Sequence, residues 1–70
     1  MMTRSEHLQW AKNRAYEYLD QEDTVQALTS FMSDMNKHDE LSDHIGLILT
    51  RRMLDQEDVS RVRDHIEKFN

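Results

Sequence analysis

Seven consecutive residues, His38-Asp39-Glu40-Leu41-Ser42-Asp43-His44, bring two imidazoles and three carboxylates together. Those are metal-ligating groups. On a helix Glu40 and His44, four apart, would share a face to which His38 or Asp43 could add a ligand. A simpler chemistry also accounts for them, because carboxylates at a helix start favour the positive end of its dipole and cap its free amides. The spacing is not His-Glu-x-x-His, so the run holds no zinc-hydrolase motif. Two more acidic clusters, at 19–23 and 54–58, lack the Gly around which a calcium loop of the EF-hand type turns. They read as solvated turns between helices, with Asp23 and Asp58 as caps. His7 and His65 stand apart and read as surface residues. There is no Gly-rich phosphate loop, and no Ser lies in a nucleophile motif. No catalysis, metal or cofactor is expected.

The binding chemistry of the chain centres on Trp10. On a helical wheel Trp10 stands away from the Leu8/Ala15/Leu19 stripe, beside Arg14 and Glu17. There it would serve as an interface anchor, since an indole desolvates a large rigid surface with few rotamers to freeze. The other reading folds it over a helix edge onto Tyr18 or helix 4. The acidic turns add Asp20, Glu22, Asp55 and Glu57 as candidate partner-binding residues. Leu47 and Leu54 project away from the Leu41/Ile45/Ile48 side of helix 3 and are candidates for self-association. Arg51, Arg52, Arg61 and Arg63 could form a basic patch, but Asp55, Glu57, Asp58 and Asp64 close by favour local ion pairing.

Four helices must position these groups. Thr3 and Glu6 have capping-box spacing ahead of a helix over 5–20, with Leu8, Ala11, Ala15, Tyr18 and Leu19 on one stripe. Asp23 caps helix 2, whose wide stripe of Val25, Ala27, Leu28, Phe31, Met32 and Met35 suits a helix with two neighbours. Asp39 or Ser42 is expected to open helix 3. Its Ile45-Gly46-Leu47-Ile48-Leu49 block is apolar nearly all round, which predicts a central, buried helix. Gly46 would let another helix approach closely. Asp58 caps helix 4, where Val59, Val62, Ile66 and Phe69 form the narrow stripe of a lid.

The pentapeptide Leu-Asp-Gln-Glu-Asp occurs at 19–23 and again at 54–58, a period of 35. At that offset Trp10 pairs with Ile45, Tyr18 with Met53, Ala27 with Val62 and Phe31 with Ile66, while Val25/Ser60 and Leu28/Arg63 break the match. A period of this size is that of a helical-hairpin repeat. Seventy residues make one domain, near the lower size for independent folding. Cys and Pro are absent and Gly occurs once, which favours unbroken helices without disulfides. The formal charge of −5, with −4 in residues 1–40 and −1 in 41–70, argues against duplex-DNA binding. With no apolar run near the roughly 20 residues of a span and no signal-peptide h-region, a soluble protein that stays where it is made is expected.

Ala15, Tyr18, Asp23, Ala27 and Phe31 resemble the hairpin of a tetratricopeptide repeat, in which small and aromatic residues of two helices meet. Glu22 stands where that family places a turn Gly, and no Pro follows helix 2. A second resemblance covers more of the chain. Ser5-Glu6-His7-Leu8-Gln9-Trp10-Ala11-Lys12, then Glu17-Tyr18-Leu19-Asp20, Ser33-Asp34, Lys37-His38 and Ile66-Glu67-Lys68-Phe69-Asn70 are similar to small uncharacterised proteins of tailed bacteriophages. The chain departs from them at both acidic turns and at Asp39. This resemblance implies a phage accessory protein in the cytoplasm of an infected bacterial host, and it carries no catalytic residues over.

The sequence therefore predicts one all-α domain over 1–70, with four short helices in two tetratricopeptide-like antiparallel hairpins at about 5–37 and 41–69. The expected function is non-enzymatic. A homodimer would bind and modulate or inhibit a host or anti-phage-defence protein, with no membrane partner. The alternative is an acidic nucleic-acid mimic, or a replication or transcription accessory, that blocks a basic nucleic-acid-binding channel.

Overall fold

The computed structural model describes residues 2–70, which form an all-α fold. The elements are α1 (Arg4–Asp20), α2 (Thr24–Asn36), α3 (Gly46–Arg52), a 3-10 turn (Met53–Asp55) and α4 (Val59–Glu67). α1 opens on the capping box read in the sequence. The Glu6 amide donates to Thr3 Oγ1 at 3.2 Å, and the Thr3 amide donates to Glu6 Oε1 at 3.1 Å. The Thr3 backbone and then its side chain hold the Glu6 carboxyl below its ordinary pKa. Leu8, Ala11, Ala15 and Leu19 are buried, whereas Tyr18 is half-buried. With Ala11, Ala15 and Ala27 all fully enclosed, α1 and α2 lie close along their length.

The turn between them exacts a backbone cost. Glu22 has φ 59°, the left-handed region that Gly adopts freely and other residues enter at about 1–2 kcal/mol. Its amide donates to the Leu19 carbonyl at 2.9 Å, and Asp23 then caps α2 by accepting from the Gln26 amide at 3.1 Å. The second copy of the pentapeptide folds differently. Leu54 and Asp55 belong to the 3-10 turn, and Gln56 is extended at φ −79°, ψ 121°. Asp58 is again a cap, accepting from the Ser60 amide at 2.9 Å. The 35-residue match survives in the enclosed pairs Ala27/Val62 and Phe31/Ile66 but not in Trp10/Ile45, because Ile45 is exposed.

Three expectations for helix 3 need correction. It starts neither at Asp39 nor at Ser42, since residues 37–45 form successive turns in which the His38 carbonyl accepts from the Leu41 and Ser42 amides at 2.9 Å. It is also not central. α2 holds that place, packing against α1, α3, the 3-10 turn and α4. Finally, α3 is rotated from the predicted setting. Leu47 and Leu54 are half-buried against the core, while Ile45, Ile48 and Leu49 are 79%, 59% and 56% exposed.

Phe69 supplies the reason for that rotation. A Cβ on Gly46 would lie 2.8 Å from the Phe69 ring, so the missing side chain is where the ring sits. The close approach expected at Gly46 is thus made by one aromatic side chain. Thr50, four residues on, also points inward and is fully buried. Leu41 fills core space from the turn region, and Val62, Ile66 and Phe69 bring α4 across the hairpin. Lys12 Nζ donates to the Glu67 and Phe69 carbonyls at 3.1 and 2.8 Å, closing the end of α4.

Phe31→Ala or Ile66→Ala is expected to cost about 2–5 kcal/mol in urea unfolding, the range for emptying a core site. Glu22→Gly is expected to do the reverse, raising stability by up to about 1 kcal/mol as relief of left-handed strain exceeds the added unfolded-state freedom. An unchanged or lower melting temperature for Glu22→Gly would contradict the turn geometry.

Candidate functional site

The partner-binding residues picked out in the sequence divide into two groups. One is built around Asp34, a carboxylate on the buried face of α2 that is 1% exposed. Arg14 Nε reaches Asp34 Oδ2 at 2.8 Å, and Lys37 Nζ reaches Oδ1 at 3.3 Å. Ser30 Oγ adds a contact at 3.4 Å. The Asp34 carbonyl meets His7 Nε2 at 2.6 Å, so that nitrogen is the donor. Two cations and a hydroxyl thus compensate one enclosed charge, as its burial requires.

Trp10 lies over this network. The Arg14 guanidinium sits 5.0 Å from the indole centroid, and the Lys37 ammonium 5.8 Å. The His7 ring meets it edge-on at 5.1 Å. The indole therefore crosses the α1 edge toward the end of α2, rather than onto Tyr18 or helix 4, and stays half-exposed. His7 is half-buried, unlike the surface residue expected, and its ring packs on that of His38 at a tilt of 58°, with centroids 5.1 Å apart. Next to it is an open depression of about 420 Å³ edged by Arg4, His7, Lys37 and His38.

The acidic residues stand elsewhere. Asp20 and Glu22 flank the start of α2, about 20 Å of helix from Lys37 at the usual rise per residue. Asp20 pairs with Arg63 on α4 at 3.3 Å, and Arg61 pairs with Asp58 at 3.9 Å. The local ion pairing expected for the arginines therefore holds in part, with Arg63 reaching across to α1. Glu17, Glu22, Asp55 and Glu57 are exposed. Trp10 and Arg14 thus do not form one surface with the acidic turns.

The His38–His44 run does not form the helix that would align Glu40 with His44. His38 Nδ1 accepts from the Glu40 amide at 3.1 Å. His44 Nδ1 accepts from the Gly46 amide at 3.0 Å, in place of a side-chain cap on α3, and its Nε2 lies 3.2 Å from the Asn70 carbonyl. Among the described residues no three His, Asp or Glu side chains converge as metal ligands.

A second polar pair sits under α3. The Thr50 hydroxyl donates to the Gly46 carbonyl at 2.9 Å and so accepts from His65 Nε2 at 2.7 Å. His65 is half-buried against Phe69, with ring centroids 5.3 Å apart. Burial, and secondarily the Lys68 charge, push its pKa below the ordinary 6.5.

Neither Asp34 nor Thr50 was singled out from the sequence. Asp34 did leave a signal, since it follows Phe31 by three residues and so shares the buried stripe of α2. Thr50 left none, because its inward direction depends on where Phe69 lies. Comparisons of the chain with protein-family models, with curated proteins and with solved structures find no match.

Arg14→Ala leaves the Asp34 carboxylate enclosed with less compensation and is expected to cost about 1–2 kcal/mol. Asp34→Asn, which removes the charge and keeps one acceptor oxygen for Arg14 and Ser30, is expected to cost less in the same urea series. The His65 pair sets a pH dependence. Below about 6.5 the unfolded chain binds more protons at His65 than the folded chain, so stability is complete above that pH and declines as pH falls through the lowered folded value. His65→Gln is expected to flatten the decline in melting temperature measured between neutral and mildly acidic pH.

Proposed function

We propose that this chain is a phage accessory protein that acts without catalysis, by binding and modulating or inhibiting a host or anti-phage-defence protein in the cytoplasm of the infected cell. The observation that supports binding is the state of Trp10, half-exposed yet held by Arg14, Lys37 and His7. An aromatic fixed before the encounter loses little rotamer freedom on docking, which favours affinity. The phage and host assignments rest on the resemblance of the chain to small tailed-phage proteins. No helix among the described residues is long and apolar enough to cross a membrane. The acidic-mimic reading is less favoured, because Arg63 and Arg61 interrupt the negative surface that a basic channel would have to recognise.

Trp10→Ala is expected to weaken partner binding by about 2 kcal/mol or more. It should also lower stability by a smaller amount, since the half-buried indole packs on the core. In the free protein Trp10 emission should be partly quenched by iodide. The decisive measurement captures tagged protein from phage-infected cells. A partner recovered with the wild type and lost with Trp10→Ala supports the reading, and equal recovery with both rejects it. A steep fall of binding with salt would favour the mimic instead.

A further inference from the structure

Residues 39–52 change chemistry in order along the chain. Asp39, Glu40 and Asp43 stand at one end, Ile45, Ile48 and Leu49 in the middle, and Arg51 and Arg52 at the other end. All eight are exposed. None of the five charged residues belongs to an ion pair among the described residues, whose pairs are made by Arg14, Lys37, Arg61 and Arg63. Beside the apolar middle lies an open groove of about 450 Å³ between α2 and α3, bordered by Met32, Leu47, Ile48 and Arg51.

We propose that a second copy of this chain covers this face, with the two 39–52 segments antiparallel about a two-fold axis near Ile48 and Leu49. A two-fold interface applies one patch to itself after rotation, so the patch must be complementary to its own reverse. This one is. Reversal sets the Asp39/Glu40/Asp43 end of each copy against Arg51/Arg52 of the other, twice per dimer, and lays the apolar middle on itself. A parallel pairing would instead oppose like charges, and a purely apolar partner would leave both charged ends uncompensated. Three branched apolar side chains held in water on α3 and the residue that precedes it are the kind of patch that marks a contact. Asp39 and Glu40 also border the depression beside His7 and Lys37, whereas Ile48, Leu49, Arg51 and Arg52 share nothing with the Trp10 network, so Ile48→Glu is the variant that separates dimerisation from partner binding.

A charge swap tests the proposal. Sedimentation of the wild type at micromolar concentration should give twice the 8.4 kDa chain mass, with dissociation favoured by added salt. The double variants Arg51→Glu/Arg52→Glu and Glu40→Lys/Asp43→Lys should each be monomeric, with at least a tenfold weaker self-association. Mixed one to one, they should form a heterodimer, because both charged ends are complementary again. Circular dichroism and melting on each variant establish that it is folded, and Ile48→Glu provides a second, apolar disruption. A wild type that sediments only as monomer, swapped variants that remain dimeric, or a mixture that stays monomeric overturns the proposal. Capture of a Trp10-dependent partner by Ile48→Glu would leave the functional reading standing whatever the dimer does.

Discussion

The Phe69 ring organises the second half of this protein. It meets Phe31 edge-on at 4.8 Å, which ties the second residue past α4 to the centre of α2. His65 and His44 pack on it at 5.3 and 4.8 Å, and Gly46 gives up a side chain to admit it. α3 has only seven residues, too few to be stable without tertiary support. Its rotation therefore follows the shape of the ring beneath it rather than its own apolar pattern. With Gly46 and Thr50 turned inward, Ile45, Ile48 and Leu49 must face water.

Polar groups complete what so small a core leaves open. Every enclosed side-chain nitrogen and oxygen among the described residues has a hydrogen-bond partner. Asp34 is compensated by Arg14 and Lys37, whose exposed side chains carry the charge back to the surface beside Trp10. Thr50 satisfies itself on the Gly46 carbonyl and on His65. Both arrangements join elements remote in sequence, the first linking α1 to α2 and the second α3 to α4. They therefore add orientation to packing, since a carboxylate or hydroxyl enclosed in any other register would lose its partners. In the proposed function the Asp34 network acts as a support for the indole, holding the binding surface rigid from beneath.

The repeated pentapeptide separates local from non-local control within one molecule. Asp23 and Asp58 both cap the following helix, because an Asp oxygen reaches the free amides of a helix start from its own backbone position. Preceding residues diverge. Leu19 lies in the last turn of a 17-residue helix and is buried, so the chain must reverse at once and Glu22 takes the left-handed conformation. Leu54 follows a short helix and stays half-buried, and there the chain leaves through an extended Gln56. Identical residues thus share the feature that is local and differ in the one set by the preceding element.

Caps and single-stripe helices were legible in the sequence because both depend on neighbours within a turn or two. The Thr3/Glu6 box, the Asp23 and Asp58 caps, the Leu8-Ala11-Ala15-Leu19 stripe and the Val62-Ile66-Phe69 stripe need no knowledge of the rest of the fold. The all-α class follows from them. The rotation of α3 was not legible, since an element apolar on every side has no preferred inward face until a ring from beyond α4 takes one. Nor was the course of Trp10 toward Lys37, which depends on how closely Ala11, Ala15 and Ala27 let α1 approach α2. Tertiary structure decided those points, through the shape of one aromatic side chain and the demand of one buried carboxylate for its cations.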